Sequence, residues 1–226
     1  MKHFNIAIDG PAGAGKSTIA RETARRLGFI YVDTGAMYRA MALFLLRQGL
    51  DPKDQQAVEA ACTQAQISLA YEDGAQQVIL NGENVTGLIR TEEVGNMASA
   101  TSVYVPVREK LVQLQKELAA RENVIMDGRD IGTCVLPDAP VKIYLTASVQ
   151  VRAMRRFKEL QGKGISCSLK EIEKDIQARD EQDMNRELSP LRQAPDAVLI
   201  DSSAMTIEEV ISAIIREAEN KGLREA

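Results

Sequence analysis

The sequence of 226 residues contains a single histidine, His3. Mechanisms built on a histidine base, a Ser/His/Asp triad or a histidine-ligated metal therefore lack their central residue. Cysteine is also scarce: Cys62, Cys134 and Cys167 are odd in number, far apart and without CxxC spacing. They read as inert thiols in a reducing cytosol, not as a disulfide framework or a zinc site. Long apolar runs are missing too, the longest being the one that contains Met41 to Leu46 between Arg39 and Arg47, far short of the roughly 20 residues that span a bilayer. The stretch before Asp9 is too short for the basic start, apolar core and cleavage site of a signal peptide, so a cytoplasmic location is expected. Nor is there a basic excess: 28 Lys and Arg against 32 Asp and Glu give a net charge of −4 and a pI near 5.3. This balance argues against a sequence-blind nucleic-acid binder and against polybasic attachment to membranes.

What is present is the ordinary composition of a globular chain, 45% hydrophobic and 27% charged, with enough apolar side chains for a full core. The length suits one domain with a sizeable insertion, or two small ones. Short β-rich segments lie at Phe4–Ile8, Ile30–Val32, Val124–Met126, Val141–Leu145 and Ala197–Ile200. Helical patterns separate most of them, which predicts an α/β fold with a five-stranded parallel sheet flanked by helices. The first helix is expected at about Lys16–Leu27, with a stripe of Ile19, Ala20, Thr23, Ala24 and Leu27 and a stop at Gly28. A last helix is expected at about Thr206–Glu219, with Thr206 as N-cap and a stripe of Ile207, Val210, Ile211, Ile214 and Ile215.

The alternation fails between Thr63 and Tyr104. There Ile67–Tyr71, Gln77–Leu80 and Glu83–Val85 are separated by Asp73-Gly74 and Asn81-Gly82, the pattern of short antiparallel strands joined by tight turns. This segment reads as a small insertion in a core made of residues 1–62 and 105–226. A second break, Gln161–Ile165, separates two charged helices and is expected to be a loop or lid.

The strongest chemical signal is GxxxxGK[ST], formed by Gly10, Pro11, Ala12, Gly13, Ala14, Gly15, Lys16 and Ser17 and followed by Thr18. It lies between an expected strand and an expected helix, the context a phosphate-binding loop requires. Its backbone amides and helix N-terminus can surround phosphate oxygens, Lys16 can reach the β- and γ-phosphates, and Ser17 can ligate Mg²⁺. The guanine-recognition motif Asn-Lys-x-Asp is absent. Arginines outnumber lysines 17 to 11, and arginine suits planar capture of phosphate. Arg152, Arg155 and Arg156 fall at i, i+3 and i+4, and Arg179, Asp183 and Arg186 at i, i+4 and i+7. Each set reads either as a salt-bridged helix face or as part of a phosphoryl-transfer site. Asp127, Arg129 and Asp130 follow the apolar strand Val124–Met126. At the carboxyl end of such a strand Asp127 can approach Mg²⁺, while Arg129 and Asp130 face a substrate.

Together, Gly10–Thr18 (GPAGAGKST), Asp33–Arg39 (DTGAMYR), Ile89–Thr91, Val107–Glu109, Asp127–Gly132 (DGRDIG) and Arg179–Arg186 closely resemble the bacterial cytidylate kinases, through essentially the whole chain. The resemblance implies a P-loop nucleotide kinase with a small α+β nucleoside-monophosphate-binding insertion at 63–104 and a helical lid at about 155–170. It implies transfer of the γ-phosphate of ATP to CMP or dCMP with Mg²⁺; separately, no interface signal in the sequence argues against a monomer, and a monomer is expected. By position, Arg39, Arg129 and Arg186 would hold the acceptor phosphate. Ser99, Arg108 and Asp130 would read the cytosine edge, and Thr34, Arg179 and Asp183 would lie near the sugar. Arg152, Arg155 and Arg156 match the lid arginines that, with Lys16 and Arg129, would serve catalysis. An acceptor phosphate is already largely dianionic at pH 7, its second pKa being near 6, so no base is needed to activate it. An alcohol kinase on the same core would need one, with Asp33 or Asp130 as the candidates. An ATP switch without turnover would not need the arginine-rich second site.

Overall fold

A computed structural model describes residues 3–72 and 74–223. The elements in chain order are β1 (Ile6–Asp9), α1 (Lys16–Leu27), β2 (Ile30–Asp33), α2 (Thr34–Arg47), α3 (Gln55–Cys62), β3 (Ile67–Glu72), β4 (Ala75–Leu80), β5 (Glu83–Asn84), α4 (Glu92–Thr101), α5 (Val105–Ala119), β6 (Val124–Gly128), β7 (Val141–Thr146), α6 (Val149–Gly162), α7 (Leu169–Asn185), β8 (Val198–Asp201) and α8 (Ile207–Asn220). A single π-helical turn, Ile131–Val135, follows β6. The larger sheet has five strands in the order β2-β6-β1-β7-β8, and β3-β4-β5 form a smaller one. The chain divides into two compact units, Ile30–Glu122 and Phe4–Phe29 with the segment from Asn123 onward.

In the second unit β1 pairs parallel with β6 and β7, and β7 parallel with β8. Ile6, Ile8, Ile125, Met126, Ile143 and Leu145 are buried there, as expected of strands covered by helices on both faces. The strands run one or two residues further than their apolar runs, because backbone pairing continues past the last apolar side chain: Asp9 pairs with Gly128, and Thr146 with Asp201. At the other end β1 starts at Ile6 and not at Phe4. The Asn5 side chain accepts from the Val124 N–H and the Asn123 side chain from the Phe4 N–H, at 3.2 and 2.8 Å. These two side chains replace ladder bonds at the N-terminal ends of β1 and β6.

Helix α1 has the expected limits, and Gly28 ends it in the left-handed region at φ 66°. The expected break after α6 is a Schellman turn: Ile165 donates to the Leu160 carbonyl and Gly164, at φ 71°, to that of Gln161. On α8, Val210, Ile211, Ile214 and Ala218 are buried, but Ile207 in the first turn is 57% exposed. That helix opens on a complete capping box, the Glu209 N–H donating to the Thr206 hydroxyl while the Glu209 carboxylate accepts from the Thr206 N–H. Thr206→Ala is expected to cost about 1 kcal/mol, a fall in Tm of roughly 2–4 °C for a chain of this size. An unchanged melting curve would show that the box adds nothing to packing of the stripe.

The first unit has its own core, with Met37, Met41 and Leu45 of α2 buried together with Leu80, Ile89 and Leu111. Its small sheet, β3-β4-β5, is antiparallel in register Ile67↔Leu80 and Leu80↔Glu83. Between β4 and β5, Asn81 and Gly82 both take positive φ, 49° and 85°, the conformation that a two-residue hairpin loop demands. In the other expected turn Gly74 has φ 75°, whereas Asp73 lies outside the described residues. Helix α4 follows these strands, so the 63–104 segment is α+β and not strands alone.

Candidate active site

The loop Gly10–Gly15 joins β1 to α1 and owes its path to glycine. A Cβ on Gly10 would lie 1.9 Å from the Leu145 carbonyl oxygen, so no other residue can pass there. Gly13 and Gly15 take φ 76° and 90°. Gly15 caps α1 without a side chain, and the helix N-terminus presents backbone amides with their partial positive charge. Lys16 is 6% exposed and donates from Nζ to the Pro11 carbonyl at 2.8 Å. Burial, reinforced by the Arg129 charge, pushes its pKa down to about 7. The Ser17 hydroxyl donates to Asp127 Oδ2 at 3.0 Å, which brings together the two side chains expected to face Mg²⁺.

The residues expected to bind the acceptor lie in both units. Within the second, Arg129 donates from Nε to Asp183 at 2.7 Å, and Arg186 lies 3.7 Å from Asp130 with both side chains buried. Arg186 stands at the C-cap of α7 with extended backbone, not inside the helix as its i+7 spacing suggested. It donates to the Ser189 carbonyl at 2.6 Å, and Ser189 itself is held at φ 51°. The buried Nε of Arg179 has no hydrogen-bond partner. Burial, with Arg129 adding to it, lowers the pKa of this guanidinium. Such a group is expensive to leave uncompensated and is suited to an anion.

In the first unit, α2 carries Thr34 and Arg39 and packs against α4, which carries Ser99, and α5, which carries Arg108. Thr34 and Arg108 are buried, and Arg39 and Ser99 half-buried. Asp33 organises the start of α2: one oxygen accepts from the Ala36 N–H at 3.0 Å, and the other from Arg90 at 2.6 Å. The Gln76 amide pairs with the Asp33 backbone, accepting from its N–H at 2.8 Å.

The three arginines on α6 occupy three different settings. Arg152, 4% exposed, is saturated: Nε donates to Ala147 O, one terminal nitrogen to Ala12 O and Asp180, and the other to Asp180 at 2.6 Å. Arg155 donates to Ser202 O at 2.8 Å and to Ala14 O at 3.4 Å, while Arg156 is half exposed and pairs with Glu159. Beside the loop is a cavity of about 290 Å³ lined by Gly13, Thr18, Arg155, Arg156, Met205 and Ile207 among others; this is what the exposed Ile207 faces. A larger cavity, of about 390 Å³, lies between Thr133 and Pro195. Two cations line it, Arg192 and Lys142, and the latter is engaged by Asp196 and the Pro137 carbonyl.

Sequence reasoning missed Asp9, Asp180 and Ser202. Asp9 carried a signal, being a charged residue at the carboxyl end of a buried strand, whereas nothing in the spacing connects Asp180 or Ser202 to α6. No helix among the described residues is long and apolar enough to cross a membrane.

Known proteins resemble this chain over nearly its whole length. Residues 6–220 match the model of the cytidylate kinase family. The chain is 50% identical over 215 residues to the cytidylate kinase of Caldicellulosiruptor bescii, covering 95% of both chains. It is also 50% identical over 211 residues to that of Lactobacillus gasseri, covering 93% of this chain and 92% of the other. Among solved structures, an uncharacterized protein from Eubacterium ventriosum shares the fold with a TM-score of 0.54 at 11% identity, over 96% of this chain and 99% of its own. The phosphate loop joined to Asp127 and the arginines gathered near it accord with what a match over nearly the whole length shows: the chain belongs to the cytidylate kinase family.

Proposed function

We propose that this protein transfers the γ-phosphoryl group of ATP to CMP or dCMP, giving ADP and CDP or dCDP, as a cytoplasmic monomer in pyrimidine nucleotide metabolism. The observation that carries the reading is the convergence, within one compact unit, of a buried phosphate-loop lysine with Arg129, Arg179 and Arg186, one of which keeps a buried nitrogen without a partner. Transfer between two phosphates needs fixed positive charge and in-line alignment more than acid–base chemistry. An alcohol kinase would need a free carboxylate as base. Asp33 has both oxygens engaged, and Asp130 faces the Arg186 charge.

In this reading the amides of residues 10–18 and Lys16 bind the ATP phosphates, and the cavity beside Arg155 and Arg156 takes the donor base. Arg129 and Arg186 hold the acceptor phosphate, and Arg179 and Asp183 its sugar. Thr34, Arg39, Ser99 and Arg108 keep the acceptor roles that the family resemblance implies. Residues 63–104 form the monophosphate-binding element and residues 155–170 the lid. Arg152 holds the Ala12 carbonyl in place, and Arg155 and Arg156 supply charge to the donor. Ser17 and Asp127 would hold Mg²⁺, and their two hard oxygen donors fit an ion that takes its other ligands from phosphate and water. When bound, the ion supplies charge neutralisation at the β- and γ-phosphates.

A steady-state screen of CMP, dCMP, UMP, AMP and GMP with ATP and Mg²⁺ tests this: ADP release should depend on a cytosine nucleotide. ATP consumption that depended on shikimate or a sugar instead would overturn it. In the same screen Asp130→Ala should lower discrimination between CMP and UMP by roughly 1–3 kcal/mol, the cost of a lost buried partner. Unchanged discrimination would remove Asp130 as the base reader.

A further inference from the structure

The loop after β6 carries Arg129 and Asp130, which meet α7 and its C-cap through Asp183 and Arg186; on the side of the central strand a third contact holds it. That contact is made by Asp9, the last residue of the central strand, which is 4% exposed. One oxygen of Asp9 accepts from the Ile131 N–H and the other from the Gly132 N–H, both at 2.7 Å. These amides open the π-helical turn, and the first amides of any helical turn lack acceptors within it. Two short bonds converging on one rigid carboxylate fix both the position and the orientation of the turn.

Gly132 completes the arrangement. A Cβ there would lie 3.3 Å from Asp9 Oδ2 and 3.3 Å from Lys142 Cδ, closer than ordinary contact. The carboxylate reaches the backbone because residue 132 has no side chain. The charges that bear on Asp9 are Asp130 and Lys16, one from each of the two segments it joins.

We propose that Asp9 is a positioning residue, its carboxylate clamping the Arg129–Gly132 loop to the strand end from which the phosphate loop departs. Gly10 follows Asp9 directly, and Arg129 precedes Ile131 by two residues. The clamp thus places the arginine expected at the acceptor phosphate and the lysine expected at the donor phosphates in one frame. The inference rests on the kinase reading above. Misplacement by about 1 Å costs in-line reactions up to ~100-fold.

The test compares wild type, Asp9→Asn, Gly132→Ala and the double variant, with kcat and KM for ATP and CMP normalised to folded protein. Calorimetry gives Kd for each nucleotide, and hydrogen exchange is followed across residues 127–135. Asparagine keeps one acceptor and turns an NH₂ towards the other amide. The expected result for Asp9→Asn is a kcat lower by ~10- to 100-fold, with both Kd values within about threefold of wild type and faster exchange at residues 131 and 132. The double variant should be no slower than Asp9→Asn alone, because both changes break one contact. Full kcat in folded Asp9→Asn, or multiplying losses in the double variant, overturns the clamp. If Asp9→Asn does not fold, Gly132→Ala decides: full kcat with wild-type exchange overturns the proposal, and reduced kcat with faster exchange supports it. Failure of the kinase reading is a separate outcome, seen when wild type itself shows no CMP-dependent ADP release.

Discussion

Lys16→Ala is expected to lower kcat by at least ~10²–10³-fold, the loss typical of removing one fixed positive group from a developing anion, while CMP affinity stays within about threefold. The division follows from placement: Lys16 opens α1 at the phosphate loop, whereas the arginines proposed for the acceptor phosphate stand on α2, on the β6 loop and at the end of α7. A second effect has the opposite sign. The folded pKa of Lys16, about 7, lies below its ordinary 10.5, so at pH 7 the unfolded chain holds this proton more firmly than the folded one. Stability that depends on this group therefore rises with pH from about 7 towards 10.5. Removing the amine removes that penalty. Without nucleotide at pH 7, Lys16→Ala should melt no lower than wild type, and its melting temperature should climb less between pH 7 and 9. Calorimetry with CMP alone, together with melting curves at the two pH values, checks both halves. A parallel loss of CMP affinity would place Lys16 in the acceptor site instead.

The parts of this molecule that the sequence made legible share a physical character. Short apolar runs mark all five segments of the large sheet, unbroken where β1, β6 and β7 are buried and legible even in β8, where only Ile200 is buried; the phosphate loop advertises itself because only glycine can pass 1.9 Å from a carbonyl oxygen. Cap chemistry is equally local, which is why Thr206 and Gly28 could be placed to the residue. Asp127 was reachable by topology alone, since a carboxylate directly after a buried strand must emerge at the ligand edge. What stayed hidden is set by contacts distant in sequence. Arg152, Arg155 and Arg156 share a helical face in any helix, but burial against Asp180, proximity to Ser202 and exposure to water give them different partners. The π turn after β6 was invisible because its amides are satisfied by Asp9, more than a hundred residues earlier. Arg186 left the helix for the same kind of reason: the Ser189 carbonyl and Asp130 compete with helical geometry.

The pairing of Arg152 with Asp180 sets up the largest expected change in stability. Both side chains are nearly inaccessible, at 4% and 11%, and the guanidinium meets the carboxylate through two nitrogens, at 3.1 and 2.6 Å. Inside a protein the attraction in such a pair does little more than offset the cost of desolvating it, but deleting one partner leaves a buried charge uncompensated, at about 3–5 kcal/mol. Asp180→Ala should therefore lower Tm by roughly 6–20 °C, far more than loss of an exposed pair such as Arg156 with Glu159, where the charges are already solvated. Replacing both residues by apolar ones of similar volume, Arg152→Met with Asp180→Leu, should restore most of the lost stability. It should not restore activity, because the Ala12 carbonyl in the phosphate loop then loses the nitrogen that holds it at 3.0 Å. Denaturant midpoints for the two single variants and the double variant give the coupling between the residues. A double variant as unstable as Asp180→Ala would mean that the site tolerates no apolar filling and that the pair contributes net stability of its own.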